Sequence, residues 1–292
     1  MKRFLVCLLI LCCLIPSALA EVYVGQKKPD DWDSRDLMRL TVFRTGESDC
    51  MLLEAGGEAM MIDGGADKYR ESLRDALAAR NLSHLKYIYS THPHDDHING
   101  LWRIMQYGVT ADEFLCSFAQ NYRYVDKGLG VDLQARTVRQ AESSGIPFRQ
   151  IMDGDQITLG DATLSFYQWY DGKSIDARCP MTRVEFQDAV LLLTSDIIGE
   201  TQHHFLNTLP AEVFKADVVK APHHGLTAFV SDFLTAVDPG FIFITNYDNE
   251  KPKKTVDQAK YRKLPYMLSG SGTIVMETDG TDWYIEQLLR QF

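Results

Sequence analysis

What this 292-residue sequence has little of narrows it first. Cysteine is scarce: of six, Cys7, Cys12 and Cys13 fall in the first twenty residues, leaving Cys50, Cys116 and Cys179, an odd number far apart. At most one disulfide can form among those three, so a small disulfide-stapled scaffold is excluded and stability must come from a core. Basic residues are outnumbered, 30 Lys and Arg against 40 Asp and Glu, for a formal charge of -10. That balance excludes a general electrostatic grip on nucleic acid, which needs a basic face, and leaves nucleic acid only as a substrate in a local groove. Beyond residue 20 no apolar run is long enough to span a bilayer. With 45% hydrophobic and 24% charged residues the chain is neither disordered nor fibrous, and its length suits one large domain or two modest ones.

The first twenty residues stand apart. Lys2 and Arg3 precede an apolar run from Phe4 to Ile15, then Pro16 and the small-x-small triplet Ala18-Leu19-Ala20. This reads as a signal peptide over 1–20, cleaved after Ala20. The run falls short of the ~20 residues a membrane anchor needs, and Leu14 and Ile15 after Cys13 are not the small residues of a lipoprotein site. Without Lys2 and Arg3 the mature chain holds 28 basic against 40 acidic residues, or -12. An exported protein with no transmembrane segment is expected, and in an oxidising space at least one of its three thiols should stay free or cross-link chains.

Residues 21–36 are polar, with Lys27-Lys28-Pro29-Asp30-Asp31, and read as an irregular lead-in to a domain over 37–292. Short apolar runs bounded by turn residues predict strands at 40–43, 50–54, 59–62, 87–90 and 113–116, with helices over 69–80 and 101–107. A helix over 133–144 follows, then strands at 156–159 and 163–169, and a hairpin of 184–186 with 190–194 around Gln187-Asp188. The rest repeats strand then helix, with strands at 218–220, 241–245, 273–277 and 283–287 and helices over 229–237 and 255–260. The rhythm predicts an α/β fold, two mixed sheets with helices on the outer faces, in one domain.

The densest chemical signal is Thr91-His92-Pro93-His94-Asp95-Asp96-His97, directly after the strand at 87–90. Three imidazoles and two carboxylates in six residues, at a strand end where a turn can converge them, are the composition of a divalent metal site. A solvated polar loop would account for one such histidine, not for three.

The run His-x-His-x-Asp-His with Ile98-Asn99-Gly100 after it resembles the signature of the metallo-β-lactamase fold superfamily. Further landmarks follow the same order: Ile62-Asp63-Gly64-Gly65, Thr194-Ser195-Asp196, and Lys220-Ala221-Pro222-His223-His224-Gly225. The resemblance covers roughly residues 39 to 287 and implies an αββα sandwich. It implies two divalent metal ions, zinc first and manganese next: His92 and His94 on one, Asp96 and His97 on the other, Asp196 bridging, and His223 or His224 completing the second site. One departure narrows the choice. Lactamases and glyoxalase II-like enzymes place another metal-binding histidine between the signature and the bridging carboxylate, whereas no histidine here lies between His97 and His203. That absence, with Pro-His-His-Gly, is similar to the branch holding the carboxyl-terminal domain of the competence protein ComEC and the teichoic acid phosphorylcholine esterases, which act on phosphodiesters. Water, or an Asp, Thr or Cys near Arg178 to Thr182, is expected to fill the missing position.

The chemistry suits a phosphodiester, because two metal ions ~3.5–4 Å apart activate water near neutral pH and clamp a phosphoryl oxygen. Asp96 and Asp196 are the expected carboxylates of catalysis, and Asn246, ending a strand beside the metal loops, is placed either to donate to an oxyanion or merely to close a turn. Asp63 is either an outer partner of a ligand imidazole or an ordinary Asp-Gly turn. His84, His203 and His204 read as solvated, Gly270-Ser271-Gly272 as a tight turn, and Lys251-Pro252-Lys253-Lys254 as a solvated loop. Phe118, Tyr122 and Tyr124 either line a substrate rim or pack in the core. The resulting expectation is an exported metal-dependent phosphodiester hydrolase, small-molecule or polymeric in substrate, with no obligate protein partner. The alternatives are a metal-dependent hydrolase of carboxylic esters or lactams, and a non-catalytic binding module on the same fold.

Overall fold

The computed structural model describes residues 20–292, so the export signal read over 1–20 lies, apart from Ala20, outside the described residues. Two mixed sheets face each other. The larger has nine strands in the order Val22–Val24, Trp283–Leu289, Gly272–Thr278, Met38–Val42, Cys50–Ala55, Glu58–Gly64, His84–Ser90, Thr110–Cys116, Phe148–Gln150. The smaller has seven: Gln156–Leu159, Ala162–Tyr167, Met181–Phe186, Ala189–Leu193, Val218–Lys220, Phe241–Ile244, Tyr266–Leu268. The helices are α1 (Arg70–Ala79), α2 (Asp95–Gln106), α3 (Leu133–Ser143), α4 (Gly199–Thr208), α5 (Ser231–Val237) and α6 (Lys253–Arg262).

Three apolar layers hold this arrangement together. Leu40, Leu53, Ile62, Tyr89, Phe166, Leu191 and Phe243 belong to the layer between the sheets. Helices α1, α2 and α3 cover the outer face of the nine-stranded sheet through Leu73, Leu101 and Val138, and α4, α5 and α6 cover the other through Phe205, Phe233 and Val256. The order helix, sheet, sheet, helix is the αββα sandwich expected. Strands of the parallel parts, such as Phe241–Ile244, are buried on both faces and so carry no alternation. Ala189–Leu193 follows suit, with Val190 alone half-buried.

Four local expectations need correction. Val22–Val24, inside the stretch read as irregular, is an edge strand pairing in parallel with Trp283, Tyr284 and Ile285. In the same stretch Trp32 is buried and its indole Nε1 donates to Glu277 Oε2 at 3.1 Å. Helix α2 begins at Asp95, six residues before the expected Leu101, so half the metal-site motif is helical rather than turn. Asp95 and Asp96 in its first turn suit the positive end of the helix dipole. The strands Phe148–Gln150 and Tyr266–Leu268 were not anticipated. Cys50, Cys116 and Cys179 are all free and buried.

The glycines of the two flanking motifs have a physical reason. A Cβ on Gly100 would collide with the Gly64 carbonyl oxygen, and one on Gly64 would collide with Leu101 N. Helix α2 therefore rests its backbone directly on the strand Glu58–Gly64, tied by Gly100 N donating to Gly65 O at 2.9 Å. This close crossing brings His97 onto Asp63. Among the described residues no helix is long and apolar enough to cross a membrane.

Candidate metal centre

The site lies where strand ends of both sheets meet. Asp63 ends Glu58–Gly64, His92 and His94 follow His84–Ser90, and Asp96 and His97 stand in the first turn of α2. From the other sheet come Asp196 after Ala189–Leu193, His223 and His224 after Val218–Lys220, and Thr245 and Asn246 after Phe241–Ile244. Asp63, Ser195, His223 and His224 all hold positive φ, between 44° and 53°. Such left-handed backbone at non-glycine residues is costly, and it persists where surrounding structure dictates it, typically at functional sites.

Two groups of donors converge. His97 Nε2, His224 Nε2 and Asp196 Oδ2 are mutually 3.2 Å apart, and Asp96 Oδ2 is 3.2 Å from His224 Nε2. Beside them His92 Nε2 lies 3.0 Å from His94 Nδ1, and 3.8 Å from Asp196 Oδ2. With metal–donor bonds of about 2.0–2.2 Å, neighbouring donors on one ion stand about 3.0–3.5 Å apart, the separations seen in both groups. Lone pairs here face lone pairs, so a proton or a cation must stand between them.

The outer nitrogens fix which lone pairs face inward. Asp63 Oδ2 accepts from His97 Nδ1 at 2.8 Å, while Thr91 binds the same carboxylate through its N–H at 2.9 Å and its hydroxyl at 2.6 Å. Thr91 Oγ1 in turn meets His92 Nδ1 at 3.0 Å. His224 Nδ1 meets Thr245 Oγ1 at 3.0 Å, and that hydroxyl donates to Asp49 Oδ1 at 2.7 Å. Asp49 is closed off by Lys220, whose Nζ lies 2.9 Å from Asp49 Oδ2 and donates to Ser195 O at 2.8 Å. With each Nδ1 carrying its proton toward an outer acceptor, His92, His97 and His224 turn a bare Nε2 to the centre.

Charge points to cations. Asp49, Asp63 and Asp196 are buried, Asp96 and Asp176 are half-buried at its mouth, and Lys220 is the buried ammonium that faces them. Five carboxylates against one ammonium leave an excess that two divalent ions would neutralise. Without metal the histidines take the strain. Burial opposes charge on His97, yet Asp196, Asp96 and Asp63 outweigh it and hold its pKa well above the ordinary value. His224 is raised likewise, burial being overcome by Asp196 and Asp49. His92 goes the other way, lowered by burial and by the neighbouring His97. Asp196 resists burial through His224 and His97 and is held well below the carboxylate range. Its Oδ1 is buried without a hydrogen-bond partner, as is Asp176 Oδ1. The donor set and these unpartnered oxygens suit divalent cations.

Every sequence-predicted donor reaches this place, but not all in the same way. His224 is buried among the donors; His223, partly exposed, has its Nε2 3.7 Å from Asp196 Oδ2 at the mouth. Asn246 is committed elsewhere: its Nδ2 donates to His224 O at 3.1 Å and its Oδ1 accepts from Tyr247 N at 2.8 Å, so it braces the strained histidine turn rather than facing a substrate oxygen. Asp49, Lys220 as its partner, and Asp176 were missed. Asp176 lies just upstream of the 178–182 stretch expected to fill the vacant ligand position, and its Oδ1 is 3.3 Å from His94 Nδ1. At the rim Tyr124 packs on His94 at 5.3 Å, while Phe118 is buried and Tyr122 accepts from Arg178 at 2.9 Å. His203 is exposed, His204 stacks on Trp169, and His84 pairs with Asp112 at the surface. Gly270-Ser271-Gly272 makes a tight turn into the strand Gly272–Thr278. Lys251 and Lys253 pair with Glu47 and Asp257 at the surface.

Fold and site together define a metallo-β-lactamase fold protein with a candidate metal centre. Residues 44–111 match the model of the Metallo-beta-lactamase superfamily. Among solved structures the chain is similar to the metallo-beta-lactamase fold protein YhfI from Bacillus subtilis, at 12% identity and TM-score 0.50, covering 79% of this chain and 96% of that one. It is also similar to CmlA, a diiron beta-hydroxylase from Streptomyces venezuelae, at 13% identity and TM-score 0.50, covering 82% of this chain but 53% of that one. At these identities the likeness speaks for the fold. No curated protein matches the chain.

Proposed function

We propose that this chain is an exported, metal-dependent hydrolase of phosphodiesters with two divalent ions, zinc first and manganese next. The observation that carries the reading is the pairing of converged donors with an excess of negative charge: imidazoles and carboxylates about one donor–donor edge apart, with Asp196 Oδ1 buried and without a hydrogen bond, Lys220 Nζ being 3.7 Å away. His92 and His94 would hold one ion, Asp96, His97 and His224 the other, and Asp196 would stand between them. When bound, the ions would supply an activated water and polarise the phosphoryl oxygen.

The chain's own residues do the rest. Asp63 and the Thr245–Asp49 pair keep protons on His97 Nδ1 and His224 Nδ1, so both Nε2 atoms stay available. Lys220 keeps Asp49 ionised inside the protein. Asn246 fixes the His224 carbonyl and with it the turn. His223 Nε2, at the mouth, is placed to hand a proton to a departing oxygen. For a phosphodiester the support is the absence of a histidine between His97 and His203 together with the Pro-His-His-Gly run. For export it is the pattern of Lys2, Arg3, Phe4 to Ile15 and Ala18-Leu19-Ala20, and the first strand, Val22–Val24, starts two residues past that cleavage point.

The test is to strip the purified protein with chelator, reload it with zinc or manganese, and assay bis-(nitrophenyl) phosphate, phosphorylcholine esters, DNA and nitrocefin. Metal-restored turnover of a phosphodiester is expected. Turnover of nitrocefin alone would replace the substrate class, and bound metal with no turnover on the panel would favour a binding module. Amino-terminal sequencing of exported material should begin at Glu21; full-length chain retained in the cytosol would overturn the export reading.

A further inference from the structure

One ion of the proposed pair is short of protein ligands. His92 and His94 offer two nitrogens, and the third imidazole that related sites place between the signature and the bridging carboxylate does not exist in this chain. We propose that Asp176 takes that place, making the first ion's protein ligands two imidazoles and a carboxylate. The proposal rests on the two-ion reading above and adds a residue to it.

Two observations converge on Asp176. Its Oδ1 lies 3.3 Å from His94 Nδ1, which is itself 3.0 Å from His92 Nε2, and the three ligand atoms all lie within 4.8 Å of one another. That Oδ1 is buried and has no hydrogen-bond partner, an expensive arrangement for a carboxylate unless something else engages it.

The carboxylate is also held in place. Asp176 opens a single 3-10 turn, Asp176–Arg178, in the connection between Ala162–Tyr167 and Met181–Phe186. Ser174 Oγ accepts from Ala177 N at 3.0 Å, Thr201 donates to Ala177 O at 2.9 Å, and Gln168 donates to Arg178 O at 2.7 Å. The one cation of this turn is directed away: Arg178 donates to Tyr122 and lies over Phe118 and Tyr122. The turn thus presents an aimed carboxylate with no internal counter-ion.

An oxygen donor where a nitrogen would otherwise stand has a chemical consequence. Two imidazoles and a carboxylate shift preference away from zinc toward harder ions such as manganese or ferrous iron, relative to three imidazoles. The first ion's donors then match the second's in type, and because His94 and Asp176 are partly exposed while His97 and His224 are buried, the first ion should be the more exchangeable of the two.

The experiment measures metal stoichiometry and affinity, by elemental analysis and by titration of chelator-stripped protein with zinc and with manganese. The variants are Asp176→Asn, Asp176→His and the loop control Asp171→Asn, with circular dichroism confirming the fold. Two ions are expected in the parent and in Asp171→Asn. Asp176→Asn should keep one ion tightly and bind the other at least ~100-fold more weakly, since even outer partners of ligands cost ~10–100-fold. Asp176→His should restore the first ion, with its zinc-to-manganese affinity ratio raised. A parent holding one ion or none would sink the two-ion reading. A parent holding two, with both ions bound by Asp176→Asn at parental affinity, would sink the Asp176 assignment alone. Should Asp176→Asn fail to fold, Asp176→His decides: two ions with an unchanged zinc-to-manganese ratio would overturn the assignment, and a raised ratio would sustain it.

Discussion

The inner and outer halves of the metal centre are built differently. In the inner half His97, His224 and Asp196 are buried, and behind each imidazole stands a further layer: Asp63 with Thr91 behind His97, and Thr245 with Asp49 and Lys220 behind His224. In the outer half His94, Asp176 and His223 are partly exposed, and Asp176 comes from a turn between strands rather than from a strand end or helix. The contrast teaches a division of labour. The inner half is over-determined and should tolerate no loss of charge, whereas the outer half is open to solvent and substrate and should tune what binds.

That contrast can be broken most severely at Lys220. It and Asp49 are both fully buried, and removing one partner of a buried ion pair leaves the other charge without compensation. Lys220→Met should lower stability by about 3–5 kcal/mol in denaturant unfolding. The double change Lys220→Met with Asp49→Asn should recover part of it, because no orphan carboxylate remains. If the single and double variants unfold alike, the pair is not what holds the inner half together.

Next in size is Asp196→Asn, which keeps the volume but removes the charge shared by His97 and His224. Activity on a phosphodiester should fall at least ~100-fold, with one ion lost on elemental analysis and the fold retained. An unchanged stoichiometry would move the bridging role elsewhere. Asp63→Asn is milder. It leaves an amide opposite His97 Nδ1, which weakens the hold on tautomer and ring orientation, and should cost ~10–100-fold in metal affinity. A loss confined to stability, with metal affinity intact, would return Asp63 to the status of a turn residue.

The same division marks what could be read from the residues alone. The signature was legible because its donors are contiguous, and so many His and Asp at one strand end suit a cation better than a solvated turn. Asp49 was not: Gly46-Glu47-Ser48-Asp49 looks like any polar turn, and only packing of that loop against α2, through Asp49 N and Ser48 Oγ donating to Asp96 O, buries it. Asp176 hid in the same way, in a polar stretch with no local pattern. The strand Val22–Val24 is three residues long, and its partner lies at the other end of the chain, so periodicity had nothing to register. The early start of α2 was obscured because its first turn is made of metal-site residues; Ile98, Leu101, Ile104 and Met105 carry the helical spacing once Asp95 is taken as the start.

The smallest effect belongs to His203, which tests whether histidine content alone makes a site. It stands on α4 within a few residues of Asp196 in sequence, and a reading by composition would place it among the ligands. Yet its side chain is exposed, whereas its neighbours Thr201, Gln202 and Phe205 face inward. The adjacent His204 spends its ring on Trp169, 4.6 Å away and nearly parallel. An exposed helix position that makes no buried contact usually changes stability by no more than ~0.5 kcal/mol on substitution. His203→Ala should therefore leave metal content at the parental value and activity within a few-fold. If it proved as damaging as Asp196→Asn, α4 would have to turn toward the centre in solution, and the boundary drawn here between the inner half and its surroundings would be wrong.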